Sequence, residues 1–245
     1  MSVSLQRSRW RARGPWLALA IILGAIGPSL VEAATFGIAP TRLSLDPGRR
    51  SGAVTLTNEG DSATLVQVQT FAWNGSLSSA DLQPTRELLA VPAVFSLEPG
   101  AKQIIRVALR DQGDLQREQS YRLLITEVPT NEQQNDDGVR FSIRLSLPVF
   151  MTPDDAEPNA SWSVRAGEKG PELVLANNGS AHLRVERLDL SSTPNAAAPE
   201  ASIEAPAYVL AGQSHAWPLP RAPTGEVLHL KAETNIGELE AMVPR

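Results

Sequence analysis

No cysteine occurs in the 245 residues of this chain. That absence removes disulfide scaffolds, thiol nucleophiles, zinc fingers, iron–sulfur clusters and blue-copper sites together. Histidine is nearly as scarce: His182, His215 and His229 are the three, all late in the chain and without a short metal-binding spacing. Solvated or capping roles are expected of them. With no histidine before residue 182 and no Gly-x-Ser-x-Gly elbow, the many serines lack a base to activate them. The acidic pairs Asp136-Asp137 and Asp154-Asp155 offer too few oxygen ligands for calcium and read as solvated turns. No catalytic residue, metal site or cofactor is expected. Long apolar runs are also missing beyond residue 33, where nothing approaches the roughly 20 residues that span a bilayer.

What is present begins with a processing signal. Arg7, Arg9, Arg11 and Arg13 precede an apolar run from Trp16 to Ile26, followed by Gly27-Pro28 and Val31-Glu32-Ala33. A basic start, a short apolar stretch and small residues at the end make a secretory signal, residues 1–33, with cleavage expected after Ala33 or, alternatively, Ala34. Its removal takes away four Arg and one Glu, leaving 18 basic and 26 acidic residues, net −8. So acidic a chain has no electrostatic attraction for nucleic acid or anionic lipid, and no membrane insertion is expected after cleavage. Hydrophobic residues at 42% suffice for a core.

After residue 34 the texture is short alternating runs closed by turns. Val54 to Asn58, Leu65 to Phe71, Ile104 to Leu109, Tyr121 to Val128 and Val139 to Phe150 are rich in Val, Ile, Leu and Thr, and bounded by Gly, Pro, Asn or Asp. No convincing helical period appears. The pattern predicts an all-β sandwich. Two landmarks recur: Leu56-Thr57-Asn58-Glu59-Gly60 is echoed by Leu175-Ala176-Asn177-Asn178-Gly179, and Leu97-Glu98-Pro99-Gly100 by Leu210-Ala211-Gly212-Gln213. A second sandwich on a related plan is expected. The polar, proline-punctuated stretch Thr152 to Asn159 reads as the joint. The expected division is 34–152, a linker at 153–160, and 161–245.

One run is unusually long. From Val139 to Val149 every odd position is apolar (Val139, Phe141, Ile143, Leu145, Leu147, Val149) and every even one is polar, charged or proline. Six apolar side chains thus share one face of an extended strand. An ordinary sandwich strand with its inner face in the core would also show this. The length exceeds the usual five or six residues, and the wholly polar stretch Thr130 to Gly138 before it is expected to be mobile. A strand that outruns its own sheet can be added to another protein's sheet edge.

Taken together, several segments resemble the PapD-like periplasmic chaperones of pilus assembly. They are Ile38-Ala39-Pro40-Thr41-Arg42-Leu43, Asn58-Glu59-Gly60, Phe95 to Gly100, Tyr121 to Pro129, and the strand ending Leu147-Pro148-Val149-Phe150-Met151-Thr152-Pro153. The Ser146 to Phe150 ending looks most like the archaic, spore-coat-protein-U-type branch. The resemblance covers essentially the whole chain after residue 34. It implies two immunoglobulin-like sandwiches in an L or boomerang arrangement, which hold pilus subunits lacking their last strand and deliver them to an outer-membrane usher from the periplasm. It makes Val139, Phe141 and Ile143 the donor residues, with Leu145 and Leu147 continuing the strand. It also implies a basic anchor for the subunit's C-terminal carboxylate. Arg42 matches the family's first-strand arginine, whereas the family's second anchor, a lysine, is replaced by Pro148. Arg122 and Arg144 are the candidate substitutes. The family analogy leaves room for self-association of the free chaperone, which the sequence itself does not decide. A pilus subunit or adhesin, or an exported two-domain β-sandwich binding protein, are the alternative readings; an exported hydrolase is the weakest.

Overall fold

The computed structural model describes residues 36–76, 78–110, 113, 115–128, 142–193, 198–219 and 227–244. The expected signal sequence and its cleavage point lie outside these residues, as do Val139 and Phe141. Among the described residues the chain is β throughout, apart from a 3-10 turn at Ser79–Asp81, and no helix is long and apolar enough to cross a membrane.

Ten strands build the first sandwich: β1 (Phe36–Ala39), β2 (Leu43–Leu45), β3 (Ser51–Asn58), β4 (Thr64–Ala72), β5 (Gln83–Pro84), β6 (Leu88–Val91), β7 (Val94–Leu97), β8 (Lys102–Leu109), β9 (Gln119–Val128) and β10 (Arg144–Met151). One sheet runs β1-β3-β8-β6. The other runs β2-β10-β9-β4-β5, with β7 also on β4. The alternation read in the sequence becomes inward and outward faces: Val54, Leu56, Val66, Ile105, Val107, Leu123 and Val149 are wholly buried between the sheets. Burial of each such side chain contributes about 1.5–3 kcal/mol.

The second sandwich pairs β11 (Ala160–Gly167), β12 (Gly170–Asn177) and β15 (Ser214–Pro218) in one sheet. Its other sheet orders β14 (Ala201–Val209), β13 (Leu183–Ser191), β16 (Val227–Thr234) and β17 (Gly237–Pro244). Leu173, Leu175, Leu183, Val185, Leu188 and Val243 form the centre of its separate core.

The echoed sequence landmarks build one corner twice. Asn58 ends β3, and its side-chain amide donates to the carbonyls of Ser62 (2.7 Å) and Leu97 (2.9 Å), while its Oδ1 accepts from Gly60 N–H (3.0 Å). Asn177 ends β12 and does the same with Ala181 (2.7 Å), Val209 (3.0 Å) and Gly179 N–H (3.1 Å). Both asparagines are 1% exposed, so each bond is sheltered from water and hard to replace. The opposing turns match as well. Gly100 N–H donates to Asn58 O (2.8 Å) and Gly212 N–H to Asn177 O (2.9 Å). These glycines sit at φ +71° and +76°, a region that costs other residues strain.

The sandwiches meet through a third apolar cluster of Trp73, Leu82, Leu124, Phe150 and Leu210, with Phe71 and Tyr208 against it. Polar contacts reinforce the meeting. The Glu118 carboxylate accepts from Thr152 Oγ1 (2.8 Å) and from the His182 N–H (3.1 Å), and faces His182 Nδ1 at 2.8 Å. Gln213 Nε2 donates to Asn74 O at 2.7 Å. The connecting segment is pinned, too: Glu157 O accepts from Ser180 N–H (2.8 Å) and Ala181 N–H (3.2 Å). His182 was expected to be solvated or capping. It is instead largely buried and stacked on Phe150 at 3.8 Å, because the joint covers it from both sides.

Candidate functional site

Strand β10 has two halves. Val149, Phe150 and Met151 lie between β9 and the parallel strand β2, so this half is interior to its sheet. From Arg144 to Pro148 the strand pairs with β9 on one side, and among the described residues no strand pairs with its other side. That half is a free edge, with main-chain groups open to another chain. The pairing with β9 runs past the strand's first residue: Glu127 N–H donates to Ile143 O (3.0 Å), and Ile143 N–H donates to Glu127 Oε2 (3.2 Å). Pro148 stands where the free edge meets the covered half. A residue with no N–H is tolerated at such a boundary.

The odd-numbered face of β10 divides along its length. Leu147 is 3% exposed and belongs to the core of its own sandwich, and Leu145 is partly buried against that core. Leu147 is therefore committed internally, a placement that alternation alone does not distinguish from donation. Ile143 is half-buried at the open end. Among the described residues the regular strand begins at Arg144, with Ser142 and Ile143 ahead of it.

The three candidate anchors separate in space. The register sets Pro148 opposite Arg122 on β9 and Val149 opposite Leu43 on β2. Arg42 lies in a bend immediately before β2, one residue ahead of the paired segment. Arg122 and Pro148 share the even face, since Leu123 and Val149 point into the core. Arg144 is on that face but four residues up the strand, about 13 Å from Pro148. Arg122 is at the level of Pro148, beside the start of β2, and Arg144 is apart from it.

Arg42 is exposed, whereas Arg122 is 6% exposed. The Arg122 guanidinium lies over the Trp73 ring, 3.7 Å from its centroid, and Nη1 donates to Ser146 O at 3.4 Å. Among the described residues it has no carboxylate partner. Loss of solvation lowers its pKa from the ordinary arginine value, and the nearby Tyr208 works in the opposite direction. A buried cation without a counter-ion is costly unless an anion arrives. Sequence reasoning named Arg122 but not Trp73 as its neighbour. The signal was present in the β4–β9 pairing, which sets Phe71 opposite Arg122 and so brings Trp73 close, but pairing is not visible in a single sequence.

Comparison with known proteins adds the following. The family model for the PapD N-terminal domain of pili and flagellar-assembly chaperones matches residues 35–157, half of the chain. Among solved structures, the CsuC–CsuE chaperone–tip adhesion subunit pre-assembly complex, from the archaic chaperone–usher Csu pili of Acinetobacter baumannii, is similar at 24% identity and TM-score 0.64. That match covers 86% of this chain and 98% of the other. The Salmonella enterica SafA pilin complex with the SafB chaperone matches at 19% identity and TM-score 0.61, covering 88% and 100%. The E. coli chaperone DraB matches at 19% and 0.58, covering 85% and 97%. These likenesses carry the two-sandwich fold. No curated protein matches the chain.

Proposed function

The chain belongs to the family of PapD-type pili and flagellar-assembly chaperones, and from that premise we propose that it binds incomplete pilus subunits by lending them a strand. In this reading residues 34–152 form the domain that holds the client and 161–245 the second domain, joined by 153–160. The client's missing strand is supplied by residues 139–143 together with the free edge of β10. Val139, Phe141 and Ile143 fill the client's groove, Leu145 lies at the border, and Leu147 stays in the chaperone's own core. Burial of the three donor side chains would contribute about 5–9 kcal/mol before ordering costs.

The observation that carries this reading is the free edge of β10, which ends at Pro148, opposite Arg122 and next to the start of β2, which Arg42 precedes. Arg42 and Arg122 hold the client's terminal carboxylate there, and so set the register of the added strand. Arg122 takes the place of the lysine that Pro148 displaces. The protein works in the periplasm after removal of residues 1–33 and hands its clients to an outer-membrane usher. Family membership sets aside the pilus-subunit reading.

Co-purification of a small β subunit with the mature protein tests the proposal. A Phe141→Asp, Ile143→Asp variant is expected to fold normally and lose subunit capture. Arg42→Ala is expected to weaken capture with little change in melting temperature. Normal subunit yield from the double aspartate variant would contradict the donor role.

A further inference from the structure

We propose that Trp73 is a positioning residue, holding the Arg122 guanidinium flat so that its in-plane N–H donors are presented to a carboxylate. This rests on the reading of Arg122 as a client anchor and adds what makes an arginine on β9 able to do that work. A guanidinium has five donors in its plane and none on its face. With the face covered by the indole at 3.7 Å, only the plane is left for hydrogen bonding, and Ser146 O engages it by one long contact of 3.4 Å. The remaining donors have no acidic partner among the described residues.

The indole is itself fixed. Its N–H donates to Ser76 O at 2.7 Å, and its backbone N–H donates to Ser120 O at 2.9 Å. Tyr208 of the second sandwich meets the ring edge-on at 5.5 Å, and Phe150 lies tilted at 6.0 Å. Arg122 is thereby held by a platform to which both sandwiches contribute, and its side chain loses little freedom when an anion binds. A lysine in its place would offer a compact charge without a flat face to stack.

The test uses an acetylated hexapeptide of alternating threonine and valine, prepared as free acid and as C-terminal amide, titrated into the mature protein by NMR. Wild-type protein is expected to prefer the acid about tenfold, the scale of one added charge-assisted hydrogen-bond pair. Arg122→Ala and Trp73→Leu are expected to remove most of that preference, and Trp73→Phe to keep most of it. Full preference in Trp73→Leu, with loss in Arg122→Ala, would overturn the positioning role and leave the anchor reading standing. Preference retained in Arg122→Ala, or absent from wild type, would overturn the anchor reading and this inference with it. If Trp73→Leu does not fold, the wild-type Arg122 side chain decides. Resolved guanidinium signals shifted by the indole ring are expected, and averaged signals like those of exposed Arg42 would overturn the proposal.

Discussion

Asn58 and Asn177 close the same corner in the two sandwiches, with the same three side-chain hydrogen bonds and the same left-handed glycine across the turn. The strand two corners on shows how the sandwiches diverge. In the second sandwich β16 alternates buried and exposed, its outer face in water. In the first, Tyr121 to Ile125 of β9 are all buried, because one face packs on the core and the other on the second sandwich. A shared scaffold has been given one covered face, and the buried Arg122 lies on it. The last strands differ likewise. β17 pairs along its whole length with β16 and ends its sheet, whereas β10 pairs along its whole length with β9 and over its last three residues with β2 as well.

The largest expected effects lie at two arginines. Arg122 and Arg184 both lie near Tyr208, but Arg184 is partly exposed and paired with Glu186 at 3.0 Å. Arg122→Ala is expected to abolish subunit capture while leaving the melting temperature unchanged or raised, since it removes an uncompensated buried charge. Arg184→Ala should leave capture intact and shift stability by no more than about 0.5 kcal/mol. Co-purification and thermal melts read both. Equal capture by the two variants would show that the covered face has no special role.

Next come the corners. Asn58→Ala and Asn177→Ala each strip a buried carbonyl pair and a turn N–H of their partners, and Asn177→Ala also strips the Asn159 N–H, held at 3.0 Å. Each is expected to cost about 2–4 kcal/mol in urea unfolding. A cost below about 0.5 kcal/mol for one of them would mean that the duplicated geometry is not matched in energy.

The smallest effect concerns His215 on β15, whose ring meets Trp217 edge-on at 4.5 Å. Partial burial lowers its pKa below 6.5. The unfolded chain then binds the proton more readily than the folded one, so stability is unaffected above pH 6.5 and falls as pH drops below it. His215→Gln is expected to flatten that acid slope slightly, as seen in melting temperatures between pH 7 and pH 5. A slope identical to wild type would assign the acid loss to other groups.

Much of this was legible in the sequence. Alternation at Val54 to Asn58 and Tyr121 to Val128 marked real strands, and the two Asn-Gly echoes marked the corners, because a buried asparagine and its turn depend on local spacing. The division of the 139–149 run was not legible. Alternation shows which side chains share a face, not where along the strand that face stops being covered, and it therefore grouped Leu147 with Ile143. The joint was hidden for the same reason. Glu118 and His182 are 64 residues apart and meet only because the sandwiches do.

The central claim is that residues 139–143 and the open half of β10 become a strand of the client. Backbone amide hydrogen exchange across 139–147, measured on the mature protein alone and in complex with a co-purified subunit, tests it most directly. Strong new protection through this stretch is expected on client binding, with β17 unchanged. Amides from 139 to 143 that exchange as fast in the complex as in the free protein would contradict it.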